Sequence, residues 1–276
     1  MNFKKSILLI LFFGISNLIL WGEIFKLKSG TKIIFFNVGQ GDAIFIESRY
    51  HHQILIDGGP NKKLILNKIS KELTFFDKDI DLIILTHPEL DHLNGLLAVL
   101  DNFKVENIIW NKIKRDSNIY FDFLKKIKEE EAKVYSGRAG LKIKAGEIIV
   151  LVLFPFEDLS QKEIKGKTSN DTSVVVELFV GGEKFLFLGD ITKKVEREIV
   201  KKYPKDNISV LKIAHHGSKF STSEELLEHF HPFFAVISCG KNNYGHPHTE
   251  TLNLLSSYDI KILRTDKDGD IKFLVQ

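Results

Sequence analysis

The sequence predicts an α+β fold, a sandwich of two mixed β-sheets with helices outside. Three observations lead there. Short runs of β-branched and aromatic residues alternate with amphipathic helical stretches from Thr31 to the carboxyl end. The first strands follow one another closely, as hairpins or meanders, before any helix begins. No low-complexity linker and no internal repeat interrupts the pattern, so residues 29–276 read as one continuous domain behind an amino-terminal segment, residues 1–28. Two packed sheets covered by helices fit such an order in both halves of the chain.

Taken in order, three β-branched or aromatic runs, Lys32–Asn37, Ala43–Glu47 and Gln53–Asp57, come first, and the amphipathic stretch Lys62–Leu73 follows as a helix. Strand Leu82–Thr86 leads to helix Leu93–Leu100, and strand Asn107–Trp110 to helix Tyr120–Glu130. Strands Ile148–Phe154, Ser173–Phe179 and Lys184–Leu188 open the second half, before helix Lys193–Lys202. Strand Val210–Ala214 with helix Ser223–His229, strand Phe234–Ser238 with helix Glu250–Ser256, and strand Lys261–Arg264 complete the chain.

Composition narrows the classes. At 276 residues with 43% hydrophobic and 27% charged side chains, the chain buries a real core, which excludes disorder and collagen-like repetition. Its one cysteine, Cys239, rules out an intramolecular disulfide framework and a cysteine-based zinc finger, so metal chemistry here falls to His, Asp and Glu. The formal charge of +3 falls to about +1 without Lys4 and Lys5, which is no footprint for tight, charge-driven DNA binding. A polymeric substrate would have to be held locally.

One apolar stretch, Ser6 to Gly22, is long enough to concern a membrane, so the chain is not a polytopic channel. Lys4 and Lys5 before it make a basic region followed by an apolar one, as in an export signal or an uncleaved anchor. No A-x-A-like site and no lipobox cysteine follow. The reading is an anchor, short but adequate with tilt or bilayer thinning, the alternative being a buried first helix of the domain. The amino-terminal charges place the domain outside the cytoplasm, anchored or secreted, although Lys26 and Lys28 weaken the asymmetry.

Chemistry gathers at the ends of apolar strands, where side chains leave the core and converge. One strand empties into His87, Glu89, Asp91 and His92, imidazoles and carboxylates of the kind that bind Zn, Mn or Fe. Another delivers Asp190 after Gly189, which alone is also a common turn. A third ends in His215-His216-Gly217-Ser218, whose adjacent histidines point different ways, so that one binds metal while the other contacts substrate or a carboxylate. The fourth leads into Asn242-Asn243-Tyr244-Gly245-His246-Pro247-His248.

In combination these residues resemble the metallo-β-lactamase-fold hydrolases, and within them the extracytoplasmic domain of the DNA-uptake competence protein ComEC. The resemblance runs from about Lys32 to the carboxyl end. It rests on Asn37-Val-Gly-Gln40-Gly-Asp42-Ala, Ile56-Asp57-Gly-Gly, Thr86-His87-Pro-Glu-Leu-Asp91-His92, Asn170-Asp171-Thr-Ser173, Gly189-Asp190, His215-His-Gly-Ser218 and Tyr244-Gly-His246-Pro. It implies a four-layer αβ/βα sandwich with one or two divalent metals, Mn or Zn, at the edge where the sheets meet.

By the same resemblance His87, Glu89, Asp91, His92, Asp190 and His216 are the metal ligands, with Asp190 bridging. Glu89 stands where the broad family has a second His and makes that site harder, favouring manganese. The family's His between the two motifs is absent, with Asn170-Asp171-Thr-Ser173 in its place, and the motifs leave open which of His215, His216 or His246 completes the second site. Gln40, Asp42 and Asp57, with Asn170, Asp171, Ser173 and Ser218, are expected to position loops, ligands or substrate. Asp91 is expected to orient the attacking water, and His215 or His246 to protonate the leaving group or contact the transition state.

The substrate implied first is a phosphodiester, most concretely DNA, in a short groove lined by Lys165, Lys167, Lys212 and Lys219. A small ester such as a phosphorylcholine ester or a lactone is the alternative, and a non-catalytic binding module of an uptake complex a third reading. The competence protein's many-helix channel is not in this sequence, so the expectation is either a separate membrane channel protein as partner or a free-standing nuclease or esterase.

Overall fold

Strands apolar on both faces belong to sheets covered on both sides. In β1 (Thr31–Phe35) Ile33 and Phe35 point into one buried cluster and Ile34 into another. In β2 (Ile44–Glu47) and β3 (Gln53–Ile56), Ile44, Ile46, Ile54 and Ile56 part from Phe45 and Leu55 in the same way. The two-residue period of a strand thus feeds a central layer between sheets and an outer layer beneath helices. The computed structural model describes residues 9–19, 30–74, 77–164 and 169–276.

The first sheet has seven strands, β16 (Ile271–Val275), β1, β2, β3, β4 (Asp79–Ile84), β5 (Lys104–Trp110) and β7 (Lys133–Ser136), in that spatial order. The second runs β15 (Lys261–Arg264), β14 (Phe234–Ile237), β13 (Val210–Lys212), β12 (Glu183–Phe187), β11 (Val175–Val180), β9 (Ile148–Phe154), β8 (Lys142–Ala145). Each begins, in chain order, with antiparallel neighbours and continues with parallel ones, from β3 to β7 and from β12 to β15. Helices α2 (Lys62–Glu72), α3 (Leu90–Asn102) and α4 (Asn118–Glu129) cover the outside of the first sheet. Helices α5 (Lys193–Lys202), α6 (Glu224–Phe230) and α7 (Thr249–Ser257) cover the second. The result is the expected four-layer αβ/βα sandwich. A two-residue pair, β6 (Lys114–Arg115) with β10 (Glu163–Ile164), and the single turn α8 (Thr265–Asp268) complete it.

The expected elements form within a few residues of their predicted ends. Besides the short pair β6 and β10, the strands that the pattern did not announce are β7, β8 and β16, all at the edges of the two large sheets. In Lys-Val-Tyr-Ser and Lys-Ile-Lys-Ala the lysines point to solvent. Such charge blunts an edge against further pairing but dilutes the apolar signal. Residues 9–19 of the apolar segment form a helix, α1, and the rest of that segment, with Lys4, Lys5, Lys26 and Lys28, lies outside the described residues. Among the described residues no helix is long and apolar enough to cross a membrane.

Candidate metal centre

Every chemistry-bearing loop leaves the carboxyl end of a strand, and the sandwich brings those ends together at one edge, as open α/β sheets do. β4 delivers His87, Asp91 and His92, β12 delivers Asp190, and β13 delivers His215 and His216. Gly189 has φ +55, and a Cβ there would meet Ser173 Cβ at 2.7 Å, so glycine lets the chain turn Asp190 inward. His215 and His216 sit in the left-handed region, with φ 50 and 55. Side chains there are strained by order 1 kcal/mol or more, and the surrounding hydrogen bonds hold them.

Asp190 is ringed by four histidines. Its Oδ1 lies 3.4 Å from His92 Nε2, and its Oδ2 3.5 Å from His216 Nε2 and 3.9 Å from both His87 Nε2 and His215 Nε2. Asp91 Oδ2 is 3.2 Å from His216 Nε2 and 4.0 Å from His92 Nε2. One ligand atom from each of Asp91, His92, Asp190 and His216 falls within 4.8 Å of the others.

Proton inventory fixes which nitrogen of each ring faces this cluster. His216 Nδ1 is 2.9 Å from Ser238 O, a carbonyl that only accepts, so Nδ1 carries hydrogen. His92 Nδ1 donates to Asp57 Oδ2 at 2.7 Å. Thr86 Oγ1 spends its proton on the same carboxylate oxygen, at 2.7 Å, so at 3.0 Å it accepts from His87 Nδ1. All three rings therefore turn Nε2 toward Asp190, the arrangement by which a protein orients imidazole ligands for a metal. The Nε2 atoms of His87 and His92 and Oδ1 of Asp190 are buried without hydrogen-bond partners. Orphaned polar atoms of this kind, all donors to a cation, fit a divalent metal.

Charge tells the same story. Burial opposes a charged His216, yet Asp190, Asp42 and Asp91 outweigh it and push its pKa up to about 10. His92, equally buried, is raised well above its ordinary value by Asp190, Asp57 and Asp91. Asp190 is held well below the carboxylate range because His216 and His92 overcome its burial. In the metal-free protein, protons on His92 and His216 supply the positive charge that the carboxylates demand. His87, desolvated and beside His92, is pushed down to about 3 and is neutral.

The neighbouring groups position this set. Asp57 holds His92 and accepts from Thr86 N at 2.8 Å. Ser173 Oγ accepts from Asp190 N at 3.1 Å and donates to Asn170 O at 2.7 Å. Asn170 Nδ2 lies 3.2 Å from His215 Nε2, and Gln40 Oε1 accepts from Gly240 N at 3.3 Å. Gln40, Pro60, Asp91, Asn170, His215 and His246 are among the residues lining an open cavity of ≈ 570 Å³ above Asp190.

Two expectations are corrected, for Glu89 and Lys212. Glu89 lies outside the ligand cluster: its carboxylate accepts from Ser169 N and Oγ, both at 2.7 Å, and pairs with Arg115 at 3.0 Å. The argument for manganese that rested on Glu89 falls with it. Asp171 positions the loop that follows Asp190, accepting from Thr192 N at the start of α5. Ser218, buried, holds the loop after the histidines, its Oγ accepting from Phe220 N. Lys212 lines no groove: its side chain is 0% exposed and pairs with Asp42 Oδ2 at 2.7 Å. The lysine within the apolar run Val-Leu-Lys-Ile-Ala was the sequence signal for that burial. Lys219 is exposed, and Lys165 and Lys167 lie outside the described residues. His246, desolvated and near His215, is pushed down to about 4, so at neutral pH it is a hydrogen-bonding contact rather than a charged acid.

Fold and site together define a metallohydrolase-type sandwich, and the chain belongs to the metallo-beta-lactamase superfamily, whose family model matches residues 36–240. Among curated proteins it is similar to ComE operon protein 3 of Bacillus subtilis, 30% identical over 271 residues, covering 90% of this chain and 33% of that protein. It is also similar to Competence protein ComA of Neisseria gonorrhoeae, 38% identical over 120 residues, covering 43% of this chain and 17% of that one. The chain thus spans a third or less of the length of these relatives. Among solved structures, the metallo-beta-lactamase fold protein YhfI of Bacillus subtilis superposes with TM-score 0.58 at 11% identity, covering 88% of this chain and 99% of that one, a likeness of fold alone.

Proposed function

We propose that this chain is a metal-dependent phosphodiesterase acting on DNA outside the cytoplasmic membrane. The observation that carries the reading is the convergence of Asp91, His92, Asp190 and His216 beneath an open cavity. Similarity to a competence protein supports DNA as the substrate. His87, Asp91, His92, Asp190 and His216 would hold one or two ions, and their nitrogen and oxygen donors suit zinc as well as manganese. When bound, such an ion would lower the pKa of a water toward 7 and offset charge on a phosphoryl oxygen.

The chain's own residues do the rest. Asp91, partly open to the cavity, is ionised because His92 and His216 outweigh its burial, so it accepts a hydrogen bond from the attacking water and aligns it. His246, neutral at pH 7, still has one N–H to donate to the leaving oxygen, and Asn170 steadies His215 beside it. The amino-terminal apolar segment would hold the domain at the outer membrane face, with a separate channel protein as partner for uptake.

The test is hydrolysis of labelled DNA and of bis(p-nitrophenyl) phosphate by the detergent-solubilised full chain with Mn²⁺ or Zn²⁺, with Asp190→Ala as control. Metal-dependent DNA cleavage that falls steeply with added salt and disappears in the variant supports the reading. Cleavage of the small ester alone, indifferent to salt, overturns it in favour of a small substrate. Bound metal without turnover on either substrate overturns it in favour of a binding module.

A further inference from the structure

The cavity wall carries side chains that the hydrolytic chemistry leaves unused. Tyr244 lines the cavity and is 72% exposed, and Leu90, at the start of α3, lines the same cavity and is 57% exposed. Both display apolar surface to water beside a cluster of charges, where a solvated loop would carry polar residues.

Tyr244 also ends a ladder of rings. His215, with Nε2 3.9 Å from Asp190 Oδ2, lies 5.2 Å from His246 between ring centroids, and His246 lies 5.8 Å from Tyr244 at an interplanar angle of 33°. The rings step outward from the central carboxylate to the cavity mouth. The loop that carries Tyr244 and His246 is held by one side chain. Asn242 Oδ1 accepts from Tyr244 N at 2.9 Å and His246 N at 3.0 Å, while Nδ2 donates to Gly240 O at 2.8 Å and His246 O at 2.7 Å. Four bonds use the full capacity of an amide. A loop backbone held in advance, with an aromatic ring left exposed on it, costs little further backbone order when a flat partner arrives.

We propose that Tyr244 is the stacking platform for a nucleobase next to the scissile phosphodiester, with Leu90 as an apolar contact for the same base. This rests on the DNA reading above. It supplies the local hold that a near-neutral domain needs, because base stacking on aromatic rings is sequence-tolerant and does not depend on net charge.

The experiment compares oligothymidylate with an abasic oligomer of equal length, which keeps the phosphates and loses the bases. With the metal-loaded full chain in detergent, kcat/KM for the thymidylate should exceed that for the abasic oligomer by about 5- to 150-fold, the range that stacking of one base spans. Tyr244→Ala should remove that preference, bringing the two oligomers to equal kcat/KM, and Tyr244→Phe should keep it. Fluorescence anisotropy of the same labelled oligomers in chelator, where nothing is cleaved, should show the same ordering of affinities. Equal cleavage of both oligomers by the wild-type protein, or a preference that survives Tyr244→Ala, overturns the stacking role and leaves the DNA reading standing. Failure to cleave either oligomer overturns the DNA reading and the stacking role with it.

Discussion

Lys212→Met should destabilise the protein severely, whereas Lys212→Met combined with Asp42→Asn should cost much less. Lys212 and Asp42 are side chains of 0% and 2% exposure whose charged atoms stand 2.7 Å apart. Lys212 Nζ gives a further hydrogen bond to Ile213 O at 2.9 Å, and Asp42 Oδ1 reaches only His216 Nδ1, at 3.4 Å, a hydrogen already donated to Ser238 O. Taking one partner away strands a desolvated charge, which typically costs about 3–5 kcal/mol. Against a total stability of about 5–15 kcal/mol that is a large fraction. Replacing both charges removes the stranded ion, so the double-mutant cycle should return a coupling energy of about 2–4 kcal/mol. Urea unfolding of the full chain in chelator, followed by fluorescence of the buried Trp110, measures it, with the midpoint of the single variant expected about 1 M or more below wild type. Additive single effects, or a cost below about 1 kcal/mol for Lys212→Met, would refute the reasoning.

Two further outcomes are expected. Because His216 titrates at about 10 in the metal-free protein and His92 is also raised, a metal must displace one or two protons at neutral pH. Affinity for Zn²⁺ should therefore rise by about ten- to a hundredfold per pH unit between pH 6 and 8, and calorimetry in buffers of different ionisation enthalpy should count the protons; a pH-independent affinity contradicts the assignment. Glu196 accepts from Thr222 N at 2.6 Å and Ser223 N at 2.7 Å, and burial raises it above its ordinary 4.5 in spite of those bonds. A raised acid makes the folded state the better proton binder, so its contribution is fullest below pH 4.5 and is lost as pH rises through the raised value. The stability difference between wild type and Glu196→Gln should shrink over that window, and growth with pH would be the wrong sign.

Elements were legible wherever local pattern and burial agreed. The helix Lys193–Lys202 and the strands Ile148–Phe154 and Lys261–Arg264 fall where residue type alone puts them. Edge strands β7, β8 and β16 were not, because lysine or an exposed leucine alternates with their apolar residues, and β7 and β16 also pair with strands far along the chain. Among the site residues, the strand-end positions of His87, Asp91, His92, Asp190 and His216 could be read from sequence, since polar groups at the ends of apolar strands must leave the core. Glu89 could not be told from a ligand. Its diversion depends on Arg115 and Ser169, which lie 26 and 80 residues away.

The sequence by itself determined which residue types could do chemistry and on which strand ends they stand, because apolar periodicity and ligand chemistry are local properties. Only the tertiary structure decided that four histidines ring Asp190, that three of them turn Nε2 inward, and that Lys212 neutralises a buried Asp42 instead of facing solvent. Those outcomes depend on hydrogen bonds and charge pairs between distant segments. The free energy of a buried donor, acceptor or charge is set by what the fold places against it.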